Sequence, residues 1–214
     1  MNQTETQMNE LAMEPTNAQG RRLTDEDVLQ MLHETHAVRS GHFRLTSGRH
    51  SDTYVQCARI LEHPRLSMSL AAEAVARLPH DLAIDLVASP AVGGILFGFA
   101  VAAALDVNLI FSEREGGAMV FRRSFEVQPG ARVLIAEDVV TTGGSVRELE
   151  DLVIGAGGAV VGVVALIDRG GQAAFSSPFY PLLRLEVPSW EAESCALCRQ
   201  GVEIYAPGSR SLVK

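Results

Sequence analysis

Apolar and polar positions fall along this chain in two alternating rhythms. Behind Thr24 and Asp27, a pair that reads as a capping box, Val28, Leu29, Met31 and Leu32 recur at helical spacing, so a helix is expected over residues 25–35. Residues 41–50 are rich in turn formers with one aromatic, Phe43, and residues 53–58 alternate like a short strand. Pro64 opens a second helix that runs to Leu78 and stops before Pro79. From there strand, loop and helix repeat. Residues 84–88 read as a strand, 89–94 as a loop of small residues, 95–105 as an apolar helix and 107–111 as a strand. Residues 132–136 (RVLIA) form a continuous apolar run and so a buried strand, 145–154 a helix with Arg147, Glu148 and Asp151 on its polar face, and 160–167 another buried strand. This order predicts an α/β fold, with a central, mostly parallel sheet flanked by helices. Ligands of such sheets sit at the carboxyl ends of the strands. The rhythm breaks over residues 112–130, where Gly116 and Gly117 stand among charges. A β-hairpin and a mobile lid both fit that stretch.

With 214 residues, 47% of them hydrophobic, the chain can bury the core of one α/β domain. No apolar run approaches the roughly 18 residues of a membrane span. The first 22 residues are polar, contain Pro15 and lack the basic-then-apolar order of a signal peptide. They read as a disordered extension of a single domain over 23–214, and the expected location is cytoplasmic. A net charge of -8 disfavours general nucleic-acid binding. Neither nucleic acid nor membrane is an expected partner. Of the 18 Lys and Arg residues only Lys214 is lysine, so phosphate contacts by a long cation fall to arginine. Cys57, Cys195 and Cys198 make no disulfide framework. The C-x-x-C pair lacks a second pair for zinc. It reads as two ordinary thiols, or as half of a site shared between two copies. His33, His36, His42, His50, His63 and His80 show no metal spacing and are expected on the surface or in loops.

Chemistry concentrates in residues 133–146, VLIAEDVVTTGGSV. An apolar strand ends in Glu137 and Asp138, Val139 and Val140 follow, and Thr141, Thr142, Gly143, Gly144 and Ser145 lead into a helix. Small residues there let amides converge on one point, the helix start adds its unsatisfied N–H groups, and the hydroxyls donate as well. That is a cup for a phosphate monoester. The two carboxylates ahead of it suit the hydroxyls of a sugar, so the stretch reads as a ribose-5-phosphate site. A P-loop is excluded by the missing lysine. Gly155, Gly157 and Gly158 sit at a helix end and read as a C-cap rather than a dinucleotide fingerprint.

At these residues the sequence resembles the type I phosphoribosyltransferases, and within them the orotate phosphoribosyltransferase family. Residues 41–56 (GHFRLTSGRHSDTYVQ) resemble that family's base-binding segment, 89–94 (SPAVGG) its pyrophosphate loop, Asp168-Arg169 its Asp-Arg pair, and 195–210, with CALC and PGSR, the tail of one bacterial subgroup. The resemblance covers residues 23–212. It implies the type I fold with a small amino-terminal hood (residues 38–58) and a mobile loop (residues 112–125). It implies transfer of a phosphoribosyl group from phosphoribosyl pyrophosphate to orotate, giving orotidine 5'-phosphate and pyrophosphate in pyrimidine biosynthesis. The roles that follow assign Glu137 and Asp138 to the ribose hydroxyls and residues 139–145 to the 5-phosphate. Arg39, Phe43 and Arg169 go to orotate; Ser89, Pro90, Ala91, Val92 and Gly93 go to pyrophosphate; Arg114 goes to the closing loop. Mg²⁺ is expected, held mainly by substrate oxygens, in a homodimer whose loop reaches the neighbouring site. The chain departs from the family pattern in having no lysine or histidine in the loop, with Arg39 and Val92 or Gly93 at two other lysine positions. The alternatives are a phosphoribosyltransferase for another base, or a regulator that senses phosphoribosyl pyrophosphate without turning it over.

Overall fold

The Thr24 side chain accepts from the Asp27 amide while the Asp27 carboxylate accepts from the Thr24 amide, and helix α1 (Asp25–Glu34) begins on that capping box. The computed structural model describes residues 22–170 and 174–207. The rest of the expected amino-terminal extension, residues 1–21, and Gly208, Ser209 and Arg210 of the tail motif lie outside the described residues. Among those described, no helix is long and apolar enough to cross a membrane.

Residues 41–50, expected to turn, do turn at residues 45–49, but residues 41–44 and His50 belong to strands. β1 (Val38–Arg44) pairs antiparallel with β2 (His50–Val55), which begins before the strand expected from residue 53. A register shift between Ser40 and Phe43 breaks the alternation and hides β1 from pattern reading. His42 and His50, expected on the surface or in loops, are 2% and 7% exposed. α2 (Ala58–Leu61) and α3 (Pro64–Ala76) then lead into the main sheet.

That sheet consists of β3 (Leu86–Pro90), β4 (Asn108–Glu115), β5 (Ala118–Phe121), β6 (Arg132–Val140), β7 (Ala159–Asp168) and β8 (Phe179–Arg184). Its order is β5-β4-β3-β6-β7-β8, with only β5 antiparallel. α4 (Gly93–Leu105) connects β3 to β4, and α5 (Gly144–Gly155) connects β6 to β7. The period of two in RVLIA splits the core between the two faces. Leu134 and Ala136 pack with Phe97 and Val101 of α4, whereas Val133 and Ile135 pack with Val146, Leu149 and Val153 of α5. Edge strand β8 was not expected, because Pro181 interrupts its pattern; proline is tolerated at a sheet edge.

β6 corrects the sequence reading in one respect. It does not end before the acids but continues through Val140, held by β7 at Val139↔Ile167 and Val140↔Asp168. β3 likewise runs through Ser89 and Pro90, pairing with Phe111 and Ser112.

Helix α3 carries a buried carboxylate. Glu73 is 2% exposed and receives hydrogen bonds from Arg22, Arg77 and the Leu23 amide, while Arg77 also reaches Asp25 and the carbonyls of Leu23 and Leu182. The pair of guanidinium groups knits the start of the domain to α3 and β8. Burial pushes the Glu73 carboxyl up, but the guanidinium hydrogen bonds outweigh it and the net shift is downward. A lowered carboxylate contributes stability above its unfolded value and loses it as pH falls through the folded value. Glu73→Ala is therefore expected to destabilise the protein by about 2–4 kcal/mol at pH 8 and by less at pH 4. Urea melts at both values test this, and an equal loss at both would remove the charge network as its cause.

Candidate active site

β3 and β6 are neighbours, yet their connections leave in opposite directions, through α4 towards β4 and through α5 towards β7. A parallel sheet opens a crevice at such a switch point. Here the crevice holds the turn after β3 and the acid pair of β6.

The two approach each other only because α4 begins with glycines. A Cβ on Gly93 would lie 2.9 Å from Asp138 Oδ1, and one on Gly94 would lie 2.9 Å from Glu137 Oε1 and 3.1 Å from the Ala136 carbonyl. Both carboxylates thus stand at a helix amino end, where free amides favour negative charge. Glu137 is nonetheless buried. Desolvation, reinforced by hydrogen bonding and charge repulsion from Asp138, pushes its carboxyl up to about 9. At neutral pH it holds a proton in the unliganded protein, so the pair offers one carboxylic acid and one further carboxyl group.

Beyond Val140 the chain turns at Gly143, whose φ of 73° lies in the left-handed region that favours glycine. α5 starts at the next residue, and Arg147 donates to the Thr142 carbonyl at 2.8 Å, tying the turn to the helix. Thr141, Thr142 and Ser145 remain exposed. They line a cavity of about 280 Å³ with Glu137, Val139, Val140, Gly143 and Gly144, and with Arg114 and Glu148 at its rim. Hydroxyls and helix amides converge as an anion site requires.

Residues 112–121 form a hairpin around Gly116 and Gly117, both at positive φ, and residues 122–125 turn away after it. Arg114 is not at its tip but within β4, where it donates to Glu148 at 2.8 and 2.9 Å and to the Gly117 carbonyl at 2.9 Å. Arg122 and Arg123 face Glu115 and Glu113. All three arginines of residues 112–125 are thus ion-paired.

The expected pyrophosphate residues divide in two. Ser89 and Pro90 are buried in β3, and Ser89 Oγ points at the bare backbone of Gly98 without a hydrogen-bond partner. Their side chains do not reach the crevice. Ala91 is half-buried, while Val92 and Gly93 are exposed.

The expected base residues also separate. Phe43 is 1% exposed and packs against Tyr54, so its ring belongs to the hood's interior. Arg39 lies over that ring at 5.6 Å and lines a separate hollow with His36, Gln56 and Arg59 rather than the cavity beside Thr141 and Thr142. Arg169 follows β7, bonded through its amide to the Val140 carbonyl. Burial draws its guanidinium below the ordinary value, with Tyr54 and Cys57 opposing. Cys57 in turn lies 3.8 Å from the Asp138 carbonyl, which brings the hood to the strand ends. Among the described residues Arg169 has no salt bridge, and its buried Nε has no hydrogen-bond partner. The neighbouring Asp168 turns away towards Gly170 and Arg184.

Residues 57–193 match the family model described as phosphoribosyl transferase domain. An orotate phosphoribosyltransferase of Heliobacterium modesticaldum is 48% identical over 191 residues, which covers 88% of this chain and all of that one. The chain belongs to the orotate phosphoribosyltransferases. The crystal structure of the family member from Aeropyrum pernix superposes with a TM-score of 0.64 at 25% identity, covering 74% of this chain and 93% of that one. The Mycobacterium tuberculosis member, solved in complex with inorganic phosphate, gives 0.62 at 26% identity over 75% and 95% of the two chains. The fold is therefore the type I phosphoribosyltransferase fold, as the motif order predicts.

A carboxyl raised by burial costs stability once the unfolded chain ionises, that is, from about pH 4.5 up to its folded value. Glu137→Gln removes that cost. It is expected to leave stability unchanged at pH 4 and to raise it by on the order of 2 kcal/mol at pH 8. Denaturant melts of the unliganded protein measure this, and a variant less stable than wild type at pH 8 would contradict the buried, protonated state.

Proposed function

We propose that this protein transfers the phosphoribosyl group of phosphoribosyl pyrophosphate to orotate, forming orotidine 5'-phosphate and pyrophosphate in pyrimidine biosynthesis. The observation that carries the choice of base is Arg169: a half-buried guanidinium, unpaired among the described residues, at the end of β7 where its amide bonds the Val140 carbonyl. An anionic base supplies the missing carboxylate, and a neutral one such as uracil leaves the cation uncompensated.

In this reading the amides and hydroxyls of residues 139–145 hold the 5-phosphate, and Glu137 and Asp138 bond the ribose 2- and 3-hydroxyls. Glu137, protonated, donates; Asp138 accepts. The C1–oxygen bond to pyrophosphate breaks as the C1–N1 bond to orotate forms and the N1 proton passes to the departing pyrophosphate or to water, with positive charge building on the ring and negative charge on the leaving group. The protein's part is alignment and charge stabilisation. Backbone around Ala91, Val92 and Gly93 faces the leaving group. Arg114 exchanges Glu148 for the pyrophosphate when the hairpin closes over the cup. Glu137 and Asp138 are too few for an all-protein cage, so Mg²⁺ fits here as a cation carried largely on substrate oxygens. When bound it offsets charge on the leaving group.

A homodimer belongs to the same proposal. Val92, Leu96 and Phe99 are 82%, 53% and 63% exposed and form one apolar stripe running from the turn along α4, a face suited to a second copy. Phe99→Asp is expected to shift the protein to monomer in light scattering, and an unchanged mass would place the interface elsewhere.

Absorbance of orotate is followed with phosphoribosyl pyrophosphate and Mg²⁺, with adenine, hypoxanthine, xanthine and uracil in parallel. Orotate alone should be consumed. Consumption of another base would overturn the base assignment, and binding without turnover would make the protein a sensor. Arg169→Ala should raise the KM for orotate by about 100-fold while changing that for phosphoribosyl pyrophosphate little. Arg114→Ala should lower kcat by roughly 100-fold with a smaller effect on orotate KM. Unchanged turnover would remove Arg114 from the mechanism.

A further inference from the structure

Outside that site, four soft donors meet. His42 on β1 and His50 on β2 are buried side by side, with His42 Nε2 3.1 Å from His50 Nδ1. The carboxyl-terminal segment delivers Cys195 and Cys198, the latter from the short helix α6 (Ala196–Arg199). Cys195 Sγ lies 3.5 Å from His42 Nε2, and Cys198 Sγ lies 3.6 Å from His42 Nε2 and 3.2 Å from His50 Nδ1. All four donor atoms fall within 4.8 Å of one another. The C-x-x-C pair therefore has its second half in the hood hairpin of the same chain.

We propose that His42 Nε2, His50 Nδ1, Cys195 Sγ and Cys198 Sγ bind one Zn²⁺ ion in a tetrahedral site that fastens the carboxyl-terminal segment to the hood.

Hydrogen bonding alone does not account for the cluster. One ring nitrogen, His42 Nε2, is approached by three groups at once, and a single N–H or a single lone pair can serve only one of them well. A metal ion serves all four. Bonds of about 2.0 Å to nitrogen and 2.3 Å to sulfur set tetrahedral edges of roughly 3.3 Å between nitrogens and 3.5 Å between nitrogen and sulfur. The spacings here are 3.1 Å for the nitrogens and 3.2 to 3.6 Å for nitrogen to sulfur. The tautomer is set as well. His42 Nδ1 lies 2.8 Å from the Val202 carbonyl, which can only accept, so Nδ1 carries the proton and Nε2 presents its lone pair inward. Two thiolates with two imidazoles favour zinc over oxygen-seeking cations. Four protein donors fill a tetrahedral shell and leave no position for substrate, so the role is structural.

The ion would close a strap already laid by backbone pairing. His50 and Trp190 exchange two hydrogen bonds of 2.8 Å, the Tyr205 amide donates to the His42 carbonyl, and the Arg44 amide donates to the Tyr205 carbonyl. Ser51 donates to the Pro188 carbonyl.

The test begins with full-length protein purified without chelator, supplied with ZnCl₂ and desalted, and assayed for metal by mass spectrometry. About one zinc per chain is expected, and retained by Cys57→Ser, while Cys198→Ser and His50→Ala fall to about a tenth or less. Wild type without zinc overturns the proposal, as does full retention by both ligand variants. Should those variants fail to fold, cobalt substitution of wild type decides. Intense visible bands with sulfur-to-cobalt charge transfer support a tetrahedral thiolate site, and a pale octahedral spectrum overturns it. Thiol titration of the unfolded chain, without reductant but with a strong chelator, should find all three cysteines; finding one would show a Cys195–Cys198 disulfide instead. Finally, chelation should speed tryptic cleavage at Arg199 about tenfold or more by releasing the strap, and an unchanged rate would overturn the fastening role.

Discussion

The close approach of Gly93 and Gly94 to the acid pair is the constraint on which the site depends. Strand order makes β3 and β6 neighbours, but it does not decide how near the turn after one comes to the side chains of the other. The two missing Cβ atoms decide it, since either would sit at 2.9 Å from a carboxyl oxygen. Three consequences follow. Glu137 can be buried without its own loop, which raises its proton affinity. Asp138 remains partly exposed beside it. The start of α4 comes against the acid pair of β6, whose strand leads on to the start of α5, so both helix starts lie at the same end of the sheet.

The arginines of the hairpin and of the end of β7 are arranged in two ways. Arg114, Arg122 and Arg123 are each held by a glutamate on the surface, where an exchange of partners costs little because exposed ion pairs contribute little. Arg169 is half-buried and lacks such a partner. The first arrangement suits groups that must take hold of a highly charged ligand and release it. The second leaves a half-buried guanidinium uncompensated, which costs stability unless an anion pairs with it. The absence of lysine and histidine from the hairpin is thereby consistent with arginines doing their work through exchangeable pairs.

Much of the fold and of the phosphate cup was legible in the sequence. Local rules sufficed where the signal was local: the Thr24–Asp27 box, the apolar run ending in two acids, and the turn-forming TTGGS before an amphipathic helix. Reading failed where a partner strand decided the outcome. β6 continues through Glu137 to Val140 because β7 is there to pair with it, and Ser89 is buried because β3 extends beside β4 over a glycine, Gly98, that leaves room for its hydroxyl. β1 was hidden by its bulge, and β8 by Pro181. Of the His42–His50–Cys195–Cys198 cluster only the C-x-x-C half showed in spacing, since the histidines that complete it lie 148 positions away in the nearest sulfur–histidine pair, Cys198 and His50.

That separation says something about the hood. A two-stranded hairpin is marginal alone, and this one stands outside the main sheet. Its buried residues are unusually polar for a core, with His42, His50 and Ser51 beside Val38 and Phe43. Apolar burial on that scale does not hold a hairpin in one place. Beyond the packing of Val38, Val55 and Cys57 on the main core, its position is set by cross-links to residues 188–205: the paired backbone of His50 and Trp190, the bonds to Tyr205, and the contacts of Arg49 with Ser189 and Glu191. Residues 188–205 in turn have little regular structure of their own, a 3₁₀ turn and the four-residue α6. Each segment is ordered by the other. A small hood built this way gains most from one strong bond set at the point where the two segments cross, and that is where the four metal-binding side chains lie.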